Sequence, residues 1–225
     1  MGTVTILPGT TERPLSLMGK MSGICYSSDI EDEMKNYKRG KRCVEDGHGR
    51  VLEFAQVYMR LDGYSARVIR EMYTHIGSAP TRLQASTRYI NYENFKYVTP
   101  KSIERNKDTK DMYDATMQTI TKCLDFLNNC GVPKEDAAMI LPLGMTTTVS
   151  IRDNARSFSN MAAQRLCTRA YWEYRQLMQD IINALSDYSP EWKELCNMVM
   201  KCKCDVSGYC LESKSCGKYP KKNEN

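Results

Sequence analysis

The sequence predicts an α+β fold, a mixed sheet of a few short strands packed with several long helices. Two observations carry this. Apolar residues recur at helical spacing over long stretches, most clearly in residues 100–129. Between such stretches lie short runs of β-favouring residues, as in 143–151 with its Thr and Val content. With 225 residues, 41% of them hydrophobic, the chain can build one substantial core. There is no internal repeat and no linker that demands a second domain. The expected organisation is a single α+β domain over 1–195 and a Cys- and Lys-rich tail over 196–225.

In chain order, residues 1–20 are polar and punctuated by Gly and Pro, with Val4, Thr5 and Ile6 as an edge strand. Residues 21–34 carry a turn into an acidic helix start, capped by Ser27, Ser28 or Asp29. The basic run KNYKRGKRC that follows reads as solvated surface. Over residues 50–62, Val51, Phe54, Val57, Met59 and Leu61 partly alternate, which predicts a strand broken at Gly63. A helix follows with Ser65 as N-cap and Ala66, Ile69, Met72 and Tyr73 on one face, ending near His75. Residues 86–91 return to β-favouring types. One long helix is expected to run from Pro100 or Ser102 to Asn129, stopped by Gly131, with Pro133 opening a short successor. After the strand at 143–151, Asp153 or Asn154 caps a helix over 155–166. Further helices are expected over 171–185 and from Pro190.

The chain's 32 basic and 27 acidic residues leave a net charge of +5, which suits an anionic small molecule as well as nucleic acid. No apolar run approaches the roughly 20 residues that span a bilayer, so no membrane partner is expected. The N-terminal MGTVTILPGTTERP lacks the pattern of a secretory signal. Of ten cysteines, Cys25, Cys43, Cys123, Cys130 and Cys167 are scattered, and Cys196, Cys202, Cys204, Cys210 and Cys216 crowd the end. Reduced thiols in a cytoplasm are the expectation.

Chemistry concentrates first in residues 69–92, IREMYTHIGSAPTRLQASTRYINY, which hold Arg70, Arg82, Arg88, His75 and a run of small hydroxyl residues. Such a loop between regular elements is an anion cradle, because backbone N–H groups, hydroxyls and guanidinium forks can converge on a phosphate. His48, in DGHGR, sits in a Gly-flanked turn. No catalytic-zinc spacing, GxSxG, Walker or GxGxxG motif is present. The second concentration is NARSFSNMAAQR, residues 154–165. On a helix, Asn154, Ser157, Asn160 and Arg165 share one broad side, which by pattern alone reads as an exposed polar face. Arg169, Trp172, Glu173 and Arg175 likewise read as an exposed ion-pair network with one aromatic anchor.

LPL at 141–143, NARSFSN from 154, Arg165 and AYWEYR at 170–175 resemble, in order and without gaps, the C-terminal half of flavin-dependent thymidylate synthases. Upstream, His48-Gly-Arg-Val-Leu-Glu53 resembles that family's His-x4-Glu segment, and Ser86-Thr87-Arg88-Tyr89 the end of its signature. The resemblance covers roughly positions 20 to 190. The signature loop departs from the pattern. Thr74-His75-Ile76 stands where the family has Arg-His-Arg, and the loop to Ser86 is two residues longer. Gln84 stands for the usual Glu, Glu71 for Gln and Ala138 for Arg, while Arg82 restores one positive charge.

What the resemblance implies is a homotetramer with active sites where subunits meet. FAD is the cofactor, reduced by NADPH, and methylenetetrahydrofolate supplies the carbon placed on C5 of dUMP without a cysteine nucleophile. Residue by residue, Ser86 and Arg88 hold the dUMP phosphate with Gln84, Ala85, Thr87 and Glu71 beside them. Arg165 faces the uracil, where a fixed cation favours charge developing on the ring. Thr74, His75, Ile76, Gln84, Arg50, Glu53, Asn154, Arg156 and Asn160 are the flavin contacts. The altered loop leaves open a related flavin and folate enzyme that adds another one-carbon group to a pyrimidine nucleotide. The tail leaves open a third class, a zinc-dependent nucleic-acid-binding protein, through Cys202, Cys204, Cys210 and Cys216. Its C-x-C spacing is tighter than that of ordinary zinc sites. With the flavin enzyme as the main reading, neither a metal nor a nucleic-acid partner is expected.

Overall fold

The computed structural model describes residues 2–77 and 80–222. Its elements are β1 (Thr3–Ile6), α1 (Pro14–Ile24), α2 (Glu33–Glu45), a 3-10 turn (Gly49–Glu53), β2 (Gln56–Ser65), α3 (Ala66–Met72) and β3 (Thr81–Gln84). They continue with α4 (Lys101–Glu104), α5 (Lys107–Asn129), α6 (Lys134–Ala137), a second 3-10 turn (Ala138–Ile140) and β4 (Thr146–Asn154). The chain then forms α7 (Ala155–Arg165), α8 (Trp172–Tyr188), α9 (Pro190–Val199) and α10 (Lys203–Ser207). The class is α+β as expected. The strands form one sheet in the order β1-β2-β4-β3, which puts β1 on the expected edge.

The sheet is antiparallel rather than mixed. Ala66 N bonds Met145 O at 2.8 Å and Ala155 N bonds Ala55 O at 2.9 Å, so partner numbers fall along β4 as they rise along β2. The β1–β2 pairs, Leu7 N to Tyr58 O and Thr11 N to Gln56 O, run the same way. So do Ala85 N to Thr148 O and the contact of Arg152 with Thr81 between β3 and β4. Alternation along β2 buries Val57, Met59 and Leu61 and exposes Tyr58 and Arg60. Gly63, expected to end this strand, takes φ +75° inside it, and the strand runs on to Ser65. A glycine tolerates that left-handed conformation without ending the pairing.

By contact density the chain divides into two compact units. One comprises Met1–Thr3, Leu61–Tyr73 and Leu83–Val149; the other Val4–Arg60, Thr74–Arg82 and Ser150–Asn225. In the first, Ser65 caps α3 as expected by accepting the Val68 amide at 3.2 Å, but α3 stops at Met72 and leaves His75 outside. The expected single helix over 100–129 is two, because the Asn106 side chain accepts the amides of Asp108 and Thr109 and starts α5 afresh. The strand expected at 86–91 lies earlier, at Thr81–Gln84. Residues 86–90 turn instead, with Ser86 Oγ accepting the Arg88 amide at 3.1 Å and Ser86 O the Ile90 amide at 3.2 Å.

The second unit holds most of the large buried side chains, including Trp192, Tyr174, Phe158, Leu15 and Met18. The Trp192 indole donates to Thr11 O at 2.6 Å, so its burial leaves no polar atom unpaired. Helix α1 departs from the polar, irregular start expected of residues 1–20. Its proline sits at N1 and its glycines face α2. A Cβ on Gly19 would lie 1.7 Å from Asn36 O, and one on Gly40 1.9 Å from Leu15 O. The basic run in α2 is therefore not simply solvated surface: Asn36 and Gly40 are buried, and Arg39 donates to Gly19 O at 3.0 Å. The cap of α2 is Asp32, whose carboxylate accepts the Lys35 amide at 2.9 Å, rather than Ser27, Ser28 or Asp29. Asp29 instead binds the Glu31 amide in a turn of its own. Among the described residues no helix is long and apolar enough to cross a membrane.

Candidate active site

The residues singled out in the sequence fall into two sets, one in each unit. In the first unit, Gln84 ends β3 with its amide 3.3 Å from Thr147 Oγ1, and Ala85 donates its backbone N–H to Thr148 O at 2.8 Å. These bonds tie the turn Ser86–Thr87–Arg88 to the sheet. The Arg88 guanidinium meets Glu135 at 2.7 Å in an exposed ion pair and lies 5.6 Å from the Tyr89 ring centre. Exposed pairs of this kind contribute about 0–1 kcal/mol, so Arg88 can exchange Glu135 for a stronger anion. Glu71 lies half-buried in the last turn of α3.

In the second unit, His75 sits between two arginines. Arg165, the last residue of α7, donates Nε–H to His75 Nε2 at 3.0 Å. Arg82 donates to the His75 carbonyl. The Arg165 guanidinium carbon lies 4.7 Å over the Tyr174 ring, and the His75 ring meets the same tyrosine edge-on at 5.9 Å. Because Nε2 accepts, the imidazole proton belongs on Nδ1. Burial, with the charges of Arg165 and Arg82, lowers the His75 pKa from 6.5 to about 4. At neutral pH the ring is therefore a neutral acceptor that orients Arg165.

That shift has a consequence for stability. The unfolded chain binds this proton first, so the contribution is present in full above pH 6.5 and is lost as pH falls towards 4. Thermal melts over that range should show wild type losing more stability on acidification than His75→Gln. Parallel curves would show that His75 is not the group responsible.

Asp153 is the residue that sequence reasoning undervalued, naming it only as a possible helix cap. It is buried on β4, in phase with Thr147, Val149 and Ile151. An acid on the inward phase of an alternating strand was the signal that marks it. Its carboxylate accepts the Ser157 hydroxyl at 2.7 Å and the Asn154 amide at 2.9 Å. Burial raises its pKa, while these bonds and the charges of Arg82 and Arg152 oppose the rise. Ser157 Oγ also approaches Gly77 O at 3.3 Å, so the end of β4 and the start of α7 hold the loop that carries His75.

The polar stripe of α7 is thus only partly the exposed face expected. Asn154 and Ser157 are buried, Arg165 is half-buried and Asn160 is exposed. Asn154 is the N-cap, accepting the Ser157 amide at 3.1 Å. Arg156 pairs with Glu53 at 2.8 Å, and Arg50 lies exposed on the same 3-10 turn as Glu53. Thr74 and Ile76, flanking His75, are exposed. The exposed ion-pair network expected at 169–175 is corrected in part: Arg169 is exposed and pairs with Glu212 at 3.5 Å, but the other two charged residues do otherwise. Glu173 is buried, and Arg175 donates to the carbonyls of Thr168 and Ala170, closing the turn into α8. Helix α8 packs Glu173 and Tyr174 inward, which takes that carboxylate out of any solvated network.

A cavity of about 360 Å³ opens at the end of α7, lined by Arg165, Cys167, Arg169, Cys202, Cys204 and Glu212 among others. All ten cysteines are free thiols. Among the described residues no three His, Cys, Asp or Glu side chains converge as a metal site, and Cys202, Cys204, Cys210 and Cys216 do not form a four-thiol cluster.

The family model described as thymidylate synthase complementing protein matches residues 7–191. The chain belongs to this family, the flavin-dependent thymidylate synthases. The flavin-dependent thymidylate synthase of Sulfurisphaera tokodaii is 30% identical over 183 residues, covering 80% of this chain and 70% of that protein. That of Geobacter sulfurreducens is 25% identical over 189 residues, covering 80% and 81%. Among solved structures, thymidylate synthase X from Helicobacter pylori, crystallised with FAD and dUMP, superposes with a TM-score of 0.65 at 17% identity. The likeness covers 87% of this chain and 99% of that one and concerns the fold. Within this flavin-dependent thymidylate synthase, the matched range holds both sets of site residues, and the Cys-rich end from Cys196 lies beyond it.

Proposed function

We infer that this flavin-dependent thymidylate synthase makes dTMP by reductive methylation of dUMP, with methylenetetrahydrofolate as carbon donor and NADPH as reductant. The observation that carries the reading is the family match over residues 7–191, which includes the Ser86–Arg88 turn and the Arg165 helix. In this reading Ser86 and Arg88 bind the dUMP phosphate, with Gln84, Ala85, Thr87 and Glu71 shaping the approach. A dianionic phosphate offers Arg88 a bidentate partner stronger than the exposed Glu135 carboxylate.

The donor set fits FAD. Arg50 is exposed and the Arg156 side chain is 41% exposed, so both are cations suited to a pyrophosphate, and Asn160 offers an exposed amide. Glu53 orients Arg156, and Thr74, His75, Ile76, Gln84 and Asn154 complete the proposed flavin contacts. FAD, when bound, supplies the reducing equivalents for the methyl group. Arg165, aimed by neutral His75 and the Tyr174 face, holds a fixed positive charge for the uracil ring as N3 loses its proton and C5 becomes nucleophilic. The family arrangement of a homotetramer with sites completed by neighbouring chains belongs to the same proposal.

Purified protein incubated with FAD, dUMP, methylenetetrahydrofolate and NADPH should accumulate dTMP, identified by chromatography and mass. Accumulation of a different 5-substituted pyrimidine nucleotide, or of none, would overturn the reading. Light scattering should give the mass of four chains.

A further inference from the structure

The Cys-rich end forms part of the cavity that holds Arg165, although it lies beyond the family match. Cys202 and Cys204 both line that cavity, and the Cys204 thiol points at the Cys202 sulfur with 3.5 Å between them. We propose that Cys202 and Cys204 form a reversible disulfide, by exchange with a low-molecular-weight disulfide, that remodels the wall of the Arg165 cavity; its effect on turnover rests on the thymidylate synthase reading above.

The two thiols differ in access. Cys202 is buried and its thiol is held above the ordinary range by that burial, whereas Cys204 is half-exposed. The Cys204 thiolate therefore attacks first, at one sulfur of the external disulfide. That S–S bond breaks, one small thiol leaves with the electron pair, and a mixed disulfide remains on Cys204. The Cys202 thiolate then attacks the Cys204 sulfur and expels the second small thiol. Two protein thiols lose two electrons and two protons, and the external disulfide gains them. Cys196, in the preceding helix, is pushed up to about 12 by burial and takes no part.

Closing the pair brings the sulfurs from 3.5 Å to about 2.0 Å. Cys202 is the extended residue that caps α10, with Lys203 the first residue of that helix. The closure must reorient the peptides on both sides of Lys203, which lines the cavity as well.

The test uses the full-length protein, reduced and then exposed to oxidised glutathione. Non-reducing peptide mapping by mass spectrometry should locate a Cys202–Cys204 disulfide. dTMP formation should fall about tenfold, as expected of a displaced wall beside a positioned catalytic group, and return with dithiothreitol. Cys204→Ser should give equal rates before and after the oxidant. Disulfides or glutathione found only on other cysteines would overturn the proposal, and so would a mapped Cys202–Cys204 disulfide with unchanged turnover. If the reduced protein makes no dTMP at all, the functional reading fails while the peptide map still decides the thiol pair.

Discussion

Arg165→Ala is expected to lower dTMP turnover by about 10²–10³-fold, the range seen when one preorganised charge-stabilising donor is removed from an active site. The same change should cost little stability. Arg165 is half-buried at the end of α7, where it donates a hydrogen bond to a neutral imidazole at 3.0 Å and lies face-on to Tyr174 at 4.7 Å, among other contacts. Together these contribute on the order of 1–2 kcal/mol to folding. Steady-state rates and thermal melts on the same preparation separate the two roles. Arg165→Lys keeps the charge but loses the Nε–H donated to His75, so it should recover only part of the rate. A melting transition that collapses in step with turnover would make Arg165 structural instead.

Gly40→Ala is expected to have the largest effect on folding, about 3 kcal/mol or more, with insoluble expression as the extreme. The added Cβ would sit 1.9 Å from the Leu15 carbonyl oxygen, and at Gly19 the corresponding atom would sit 1.7 Å from Asn36 O. Both obstacles are backbone, so no side chain can rotate aside and α1 and α2 would have to separate. That would disturb the side chains packed beneath them, including Leu15 and Met18, both fully buried. Gly131→Ala provides the comparison. It meets nothing within 4 Å, and its φ of +80° leaves only the strain of a left-handed alanine, about 1 kcal/mol. If Gly40→Ala melts within a few degrees of Gly131→Ala, the close helix contact is not the constraint described.

The features that were legible in the sequence are those with local causes. Ser65 and Asn154 announced the starts of α3 and α7 because a short polar side chain binds amides three residues on. Pro190 opened α9 for the same kind of reason. The candidate residues were legible because an ordered set of motifs kept its spacing over much of the chain. Strand β3 was misplaced because Ser86 bonds the Arg88 amide and makes a turn of residues whose side chains favour strands.

Sequence alone thus determined the class, the helices and strands with strong end signals, the family and the residues worth testing. Tertiary structure decided which polar groups are buried and what they face. That Asp153 is buried beside Ser157, that His75 is a neutral acceptor for Arg165, and that two glycines weld α1 to α2 all depend on residues distant in the chain. Capping and periodicity act within a few residues and are written locally. Desolvation, helix contact and sheet direction exist only once remote segments have met, so no local pattern encodes them.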